Sequence, residues 1–396
     1  MRGRGSAWTG RALLAGALAL GPSAAGRADE MGVSEDRILF GQSAAFSGPT
    51  QELGKDMRLG IEAAFAEANS RGGVHGRRLE LVSLDDGYEP ERAIANTRQL
   101  IEEEDVFALI GAVGTPTSRS ATPIAAAAEV PYLAPFTGAE FLREARWPNV
   151  VNLRASYYQE TAEMIARLTE DRGIQRIAVM YQDDSYGRAG YRGVRRALDR
   201  LEMEPVAIGV YPRNTTAVKA SLLDLRRGNP QAVIVIGAYQ PVAALIAWSR
   251  HTGFDPVFMT VSFVGSNALA RELGSGGAGV FVTQVVPFPT ATDPPVAVAY
   301  RSALAVRAPE AVPGFVSFEG YLAGRLAVAA LERCGPDVDR ASFLESLRSA
   351  DVIDIDGFQL RYGAGDNQGS DAVFLTVIGN DGRYQPIRSI ETGAGS

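Results

Sequence analysis

The 396-residue chain has one cysteine and two histidines, and only Lys55 and Lys219 among its 39 basic residues are lysines. One thiol cannot close an internal disulfide, and with two imidazoles it cannot furnish the four ligands of an ordinary zinc site. Cys334 therefore reads as a small hydrophobe within a helix, and no metal is expected. Two lysines leave few candidates for Schiff-base chemistry; the arginine bias reads as genomic base composition. A net charge of −7 lacks the basic excess that phosphate backbones demand, so nucleic acid is not expected as a partner. Motifs of catalysis are missing too: no GxSxG elbow, no GxxxxGK[ST] loop and no HExxH. The Gly-rich GSGGAG (274–279) precedes a strand rather than joining a strand to a helix, the wrong context for a dinucleotide. His75 sits in a Gly-rich turn and His251 at a helix end, and both read as surface residues. These absences point away from an enzyme: no catalytic residue and no cofactor are expected.

What is present begins with a leader. Arg2, Arg4 and Arg11 precede the apolar stretch Ala12 to Leu20, followed by Gly21, Pro22 and small residues, the order of a secretory signal. The apolar stretch is well short of the roughly 20 residues that span a bilayer. Cleavage after Ala25 or Ala28 is expected, so that 1–28 is a signal peptide and the mature chain enters the periplasm. No cysteine lies near the cleavage region to carry a lipid anchor.

From Arg37 onward, short apolar runs alternate with amphipathic helices. RILFGQSAAF (37–46), the segment 79–84, FALIGAV (107–113) and VPYLAPF (130–136) read as strands of a first series. RIAVMYQ (176–182), PVAIGVY (205–211), AVIVIGA (232–238), VFMTV (257–261) and GVFVTQVV (279–286) form a second. Continuous apolar runs separated by helices predict buried parallel sheets, an α/β fold with helices on both faces. Two series imply two Rossmann-like lobes with a cleft between them. Farther on, 358–369 and 373–384 read as antiparallel, turning at Gly-Asn-Asp-Gly.

Ligands of open parallel sheets lie beyond the carboxyl ends of strands, where the next helix starts. Four such joints are notable: 44–54 with Ser47, 110–118 with Thr115 ahead of Pro116, 134–140, and YQDDSYG (181–187). The first three offer hydroxyls and free N–H groups near helix starts, suited to a carboxylate. Each also reads as ordinary capping, and three together in one lobe favour an anion site. Asp183 and Asp184 are capping residues or an ammonium site; Asp85–Asp86 reads as a solvated cap.

The residues SGP…LG…GIEAAFAEANSRGGVHGRRLELVSLDDGYEPERA, IGAVGTPTS, VPYLAPFTGAE and RIAVMYQDDSYGRAG resemble the branched-chain amino-acid binding proteins, periplasmic binding proteins of the type I fold that serve ABC transporters. The likeness runs from about Arg37 to the C-terminal hairpin, and the turn Asn69 to Gly76 followed by the Asp85–Asp86 strand end is fairly specific to this group. It implies a hinge of three crossovers, an N-terminal lobe of 36–154 plus 286–353, a C-terminal lobe of 155–285 plus 354–391, and closure around a small-molecule ligand. By resemblance Thr115 binds the ligand carboxylate, and the loop Phe136, Thr137 and Ala139 adds backbone and hydroxyl contacts. Tyr186 and Tyr239 line the cleft from the second lobe, and Phe315 lines a side-chain pocket near the hinge. The acid that holds the α-ammonium falls on Ser262, and the cysteine pair of some members falls on Tyr88 and Gly114. A buried ammonium without a carboxylate is costly. Either Asp184 or Glu319 replaces the acid, or the ligand has no amine. The expected role is a monomeric receptor that captures an amino acid, amide or related organic acid and delivers it to ABC permease subunits. The rival roles are a ligand-sensing domain signalling to a partner, and an exported hydrolase acting through Ser262 or Ser47.

Overall fold

The computed structural model describes residues 30–391 together with Met1 and Gly5; the expected signal peptide 1–28 lies almost wholly outside the described residues. The first half alternates β1 (Arg37–Ala44), α1 (Gln51–Ser70), β2 (Arg78–Asp85), α2 (Pro90–Glu102), β3 (Ala108–Ile110), α3 (Thr115–Ala127), β4 (Tyr132–Leu133) and β5 (Val150–Val151). These strands form an all-parallel sheet in the order β2-β1-β3-β4-β5. The chain crosses over into α4 (Tyr157–Ala166), β6 (Ile177–Gln182), α5 (Ser185–Asp199), β7 (Ile208–Tyr211), α6 (Lys219–Arg227), β8 (Ala232–Ile236), α7 (Tyr239–His251), β9 (Val257–Thr260), α8 (Ser266–Leu273) and β10 (Phe281–Gln284). Here the parallel strands run β7-β6-β8-β9-β10, the same winding as in the first sheet, so the two lobes repeat one topology.

Three helices follow, α9 (Pro295–Arg307), α10 (Phe315–Cys334) and α11 (Arg340–Arg348), and α10 packs along α1. Gly60 and Gly320 make that packing possible: a Cβ on Gly60 would fall 1.9 Å from the Ser317 carbonyl, and one on Gly320 would fall 2.2 Å from the Met57 carbonyl. The backbones touch where any side chain would hold them apart.

The C-terminal part corrects one sequence expectation. β12 (Phe358–Leu360) pairs antiparallel with β11 (Ile353–Ile355) through the Asp356–Gly357 turn, not with the strand after it. Gly-Asn-Asp-Gly does turn a hairpin, between β13 (Phe374–Ile378) and β14 (Tyr384–Ile387), which adds to β10 as the antiparallel edge of the second sheet. Turn chemistry was a sound guide, but the pairing partner was set by the nearer turn.

β6 and β8 are almost wholly buried, as their unbroken apolar runs predict. Among the described residues no helix is long and apolar enough to cross a membrane. The Asn69–Gly76 turn has a local cause for its asparagine: the Asn69 amide donates to the Leu79 carbonyl at 2.9 Å and accepts from its N–H at 2.8 Å, tying the end of α1 to β2.

Candidate functional site

In each sheet the strand order reverses between the first strand and the third, at β1/β3 and β6/β8, and residues that follow strand ends of the two sheets meet at the seam, Tyr88 and Phe136 against Phe263. Thr115 opens α3 at the first of these points. Its hydroxyl does not cap the helix, which starts from Gly114 with no side-chain cap; it lies 2.6 Å from the Thr137 hydroxyl. Thr137 also donates to the Tyr157 hydroxyl at 3.2 Å and accepts from the Ala139 N–H at 3.3 Å. Three buried hydroxyls thus cluster at the positive end of a helix, an arrangement that suits an anionic oxygen. Gly114, at φ 106°, is required here because a Cβ would fall 2.2 Å from the Tyr88 ring.

Beside the hydroxyls lies a group of rings. Phe263, from the short turn after β9, is stacked on Phe136 with centroids 5.3 Å apart, lies 4.5 Å from Tyr186 and 6.1 Å from Tyr88. Tyr157 completes the group, 5.5 Å from Tyr186. Burial is complete enough to push Tyr88 and Tyr186 well above the usual phenol range, and Tyr157 up to about 12. These phenols act as neutral hydrogen-bonding groups.

The charged part of the site is Arg154, in the crossover between β5 and α4. Its guanidinium donates to Glu160 at 2.9 Å, lies 3.5 Å from Glu319 on α10, contacts the Ser262 hydroxyl, and sits 5.2 Å from the centre of the Phe136 ring. Glu160 receives three further donors: the Ser262 N–H at 2.8 Å, the Ser262 hydroxyl at 3.0 Å and the Thr283 hydroxyl at 2.6 Å. Burial alone would lower the Arg154 pKa, but Glu319 and Glu160 outweigh it and the pKa is raised. Burial pushes Glu319 up to about 7, against the pull of Arg154 and with the push of Glu160. The Arg154 Nε is buried with no partner.

Of the residues expected from the sequence, Thr115, Phe136, Thr137, Ala139, Tyr186, Ser262 and Glu319 meet in this region. The others have different partners. The Ser47 hydroxyl donates to Asp85 at 2.6 Å, organising the loop after β1. Asp184 caps α5, accepting from the Tyr186 and Gly187 N–H groups, and also receives the Gln182 amide at 2.6 Å. Both capping N–H groups fall on one carboxylate oxygen; the other receives Gln182 and lies 3.8 Å from Arg213. The Tyr239 ring lies against the first lobe near Glu52 and Gly265. Phe315 packs edge-on to Phe288 and Tyr384 and lines a separate surface cavity of about 470 Å³ with Arg271 and Pro313. Asp85–Asp86 is not a solvated pair: Asp86 is fully buried against Ser43 and the Tyr88 N–H, and burial pushes it up to about 6.

Arg154, Glu160, Tyr157 and Phe263 escaped the sequence reading. Glu160 had a signal: it falls on the buried face of α4 with Tyr157, Thr161, Met164 and Ile165. A carboxylate on an apolar helix face asks for a buried partner. Arg154 carries no such signal, because a crossover has no periodicity to violate.

The lobes are drawn together in this structure. Arg213 bonds Glu89 at 2.6 Å, Asn214 bonds Glu89 at 2.7 Å, and Arg271 bonds Glu52 at 2.7 Å across the seam.

A family model described as periplasmic binding protein matches residues 38–383. The chain is 27% identical over 228 residues to Leu/Ile/Val-binding protein homolog 7 of Brucella abortus, which is 55% of this chain and 57% of that relative. The match therefore spans a little over half of that relative's length. It is 24% identical over 275 residues to the Leu/Ile/Val-binding protein of Escherichia coli, covering 69% of this chain and 73% of that one. The crystal structure of a possible leucine/isoleucine/valine-binding protein from Rhodopirellula baltica matches with a TM-score of 0.85 and 40% identity, over 89% of this chain and 96% of that one.

Proposed function

The chain belongs to the periplasmic binding protein family, and on that premise we propose that it is the extracytoplasmic receptor of an ABC importer, capturing a small carboxylate-bearing solute between its lobes. The observation that carries this reading is the cluster of Thr115, Thr137 and Tyr157 hydroxyls at the start of α3, buried in the seam and flanked by rings from both lobes. A carboxylate gains hydroxyl donors and the helix dipole there, while the rings take up the apolar remainder of the solute. In this reading residues 36–154 with 286–353 and residues 155–285 with 354–391 are the moving bodies. The crossovers through Arg154, after β10 and after α11 are the hinge. The working form is a periplasmic monomer that presents its closed face to permease subunits.

A thermal-shift screen of the protein against amino acids, amides and organic acids tests the reading. A ligand at 100 times its dissociation constant adds about 2.7 kcal/mol of stability. Thr115→Val then keeps the fold and weakens binding of the hit by roughly 1–3 kcal/mol. Unchanged affinity in that variant, measured by calorimetry, would remove the hydroxyl cluster from the site.

A further inference from the structure

The seam contains a cation of its own. Arg154 is fully buried there, with Glu160 on one side, Glu319 on the other and the Phe136 ring beneath it. A ligand ammonium entering this space would meet two obstacles. The Glu160 carboxylate already receives four donors, from Arg154, from Ser262 twice and from Thr283, so its lone pairs are filled. The second carboxylate, Glu319, faces Arg154, so an ammonium placed beside it would also be placed beside a guanidinium. In a buried site the repulsion of two cations is weakly screened.

A carboxylate meets the opposite situation. The hydroxyls of Thr115, Thr137 and Tyr157 are bonded to each other and to the Ala139 N–H, with no charged group among them. The Arg154 guanidinium lies 6.0 Å from the centre of the Tyr157 ring, close to this cluster, and its buried Nε–H has no acceptor. A buried donor without an acceptor is uncommon and is a place where a ligand oxygen completes the structure. Burial pushes the Glu319 carboxyl up to about 7, so near neutral pH it opposes an entering anion less than a fully ionised carboxylate would. The rings of Phe136, Tyr88, Phe263 and Tyr186 pack together beside these groups.

We propose that the cleft selects carboxylic acids with an apolar body and no amine, and that Arg154, held by Glu160 and Glu319, is the residue that excludes amino acids. This deepens the receptor reading and rests on it. Arg154 stands where an ammonium-bearing ligand would need room and an acid, and it offers its Nε–H to the carboxylate instead.

Matched pairs that differ only in the amine test the selection: 4-methylpentanoate against leucine, and 3-phenylpropanoate against phenylalanine, titrated calorimetrically into the whole protein. An unpaired buried charge costs several kcal/mol, so the amine-free acid of at least one pair is expected to bind about 100-fold or more tightly than its amino partner. Arg154→Met frees Glu160 and narrows that gap to within about 10-fold, by gain of amino-acid binding. Removal of Arg154 alone strands a buried carboxylate, so the double variant Arg154→Met/Glu160→Gln is measured beside it. With both charges gone the fold is retained and the discrimination falls as well. If leucine or phenylalanine binds the natural protein as tightly as its amine-free partner, the selection proposed here is wrong while the receptor reading stands. If no carboxylate binds and a neutral amide does, both fall.

Discussion

Phe263 of the second lobe stacks on Phe136 of the first, with centroids 5.3 Å apart and planes inclined by 29°. The first ring leaves the turn after β9 and the second leaves the loop after β4, so the stack exists only while the lobes are together. Phe263 also touches Tyr186 of its own lobe and Tyr88 across the seam, and all four rings are buried. The side chain fills the space between the lobes as an apolar part of a ligand would.

Phe263→Ala is therefore expected to weaken closure. Truncating a buried Phe costs about 3–5 kcal/mol, divided here between overall stability and the closed arrangement. The rim pairs Arg213–Glu89 and Arg271–Glu52 are partly exposed and together offset little of this, at roughly 0.2–1 kcal/mol each. Small-angle scattering of the unliganded variant should give a larger radius of gyration than the natural protein. An unchanged radius would mean that the ring does not hold the lobes together.

Replacement of Asp184 is expected to act on the fold and not on the ligand. Its carboxylate accepts from the Tyr186 and Gly187 N–H groups at 2.9 and 3.1 Å, as an N-cap of α5. Asp184→Ala should lower stability by about 1 kcal/mol, the usual value of such a cap. The affinity of a ligand found by thermal shift should change less than about threefold in calorimetry, since the cap's own contribution lies in the helix. A large loss of affinity with a small loss of stability would return Asp184 to the binding site.

Both sheets were legible because continuous apolar strands alternate with helices, and nothing but a covered parallel sheet buries such strands on both faces. Thr115 was legible for a related reason: a hydroxyl beside Pro116 marks a helix start at a strand end. Three kinds of information were missing. Whether Thr115 caps its helix or turns toward Thr137 depends on a loop 22 residues away in the chain. The opposite outcome at Asp184, which does cap, follows from the free N–H groups of Tyr186 and Gly187 directly after it. Arg154 and Ser262 become partners only when a crossover and the end of β9 meet, and no local pattern records that meeting. Phe315 opens α10 as its helical pattern predicts, but its ring turns to Phe288 and Tyr384.

Glu319 makes the stability of the protein depend on pH in a direction opposite to that of an ordinary surface ion pair. Burial, opposed by Arg154 and reinforced by Glu160, raises its pKa from 4.5 to about 7. Between those values the folded protein holds a proton that the unfolded chain has released, so stability falls as pH rises. The contribution is fully present below about pH 4.5 and is lost as pH passes through about 7. It is on the order of 3 kcal/mol, at about 1.4 kcal/mol per unit. Asp56 and Asp86, both raised to about 6 by burial, slope in the same direction, so the natural protein alone does not isolate Glu319. Glu319→Gln does: the amide keeps an acceptor for Arg154 and imitates the protonated acid at every pH. Urea unfolding of the two proteins from pH 5 to 8 should show the natural protein losing stability relative to the variant by up to that amount, with most of the divergence below pH 7. Parallel curves would mean that Glu319 is already ionised in the folded protein at pH 5, held so by Arg154 despite its burial.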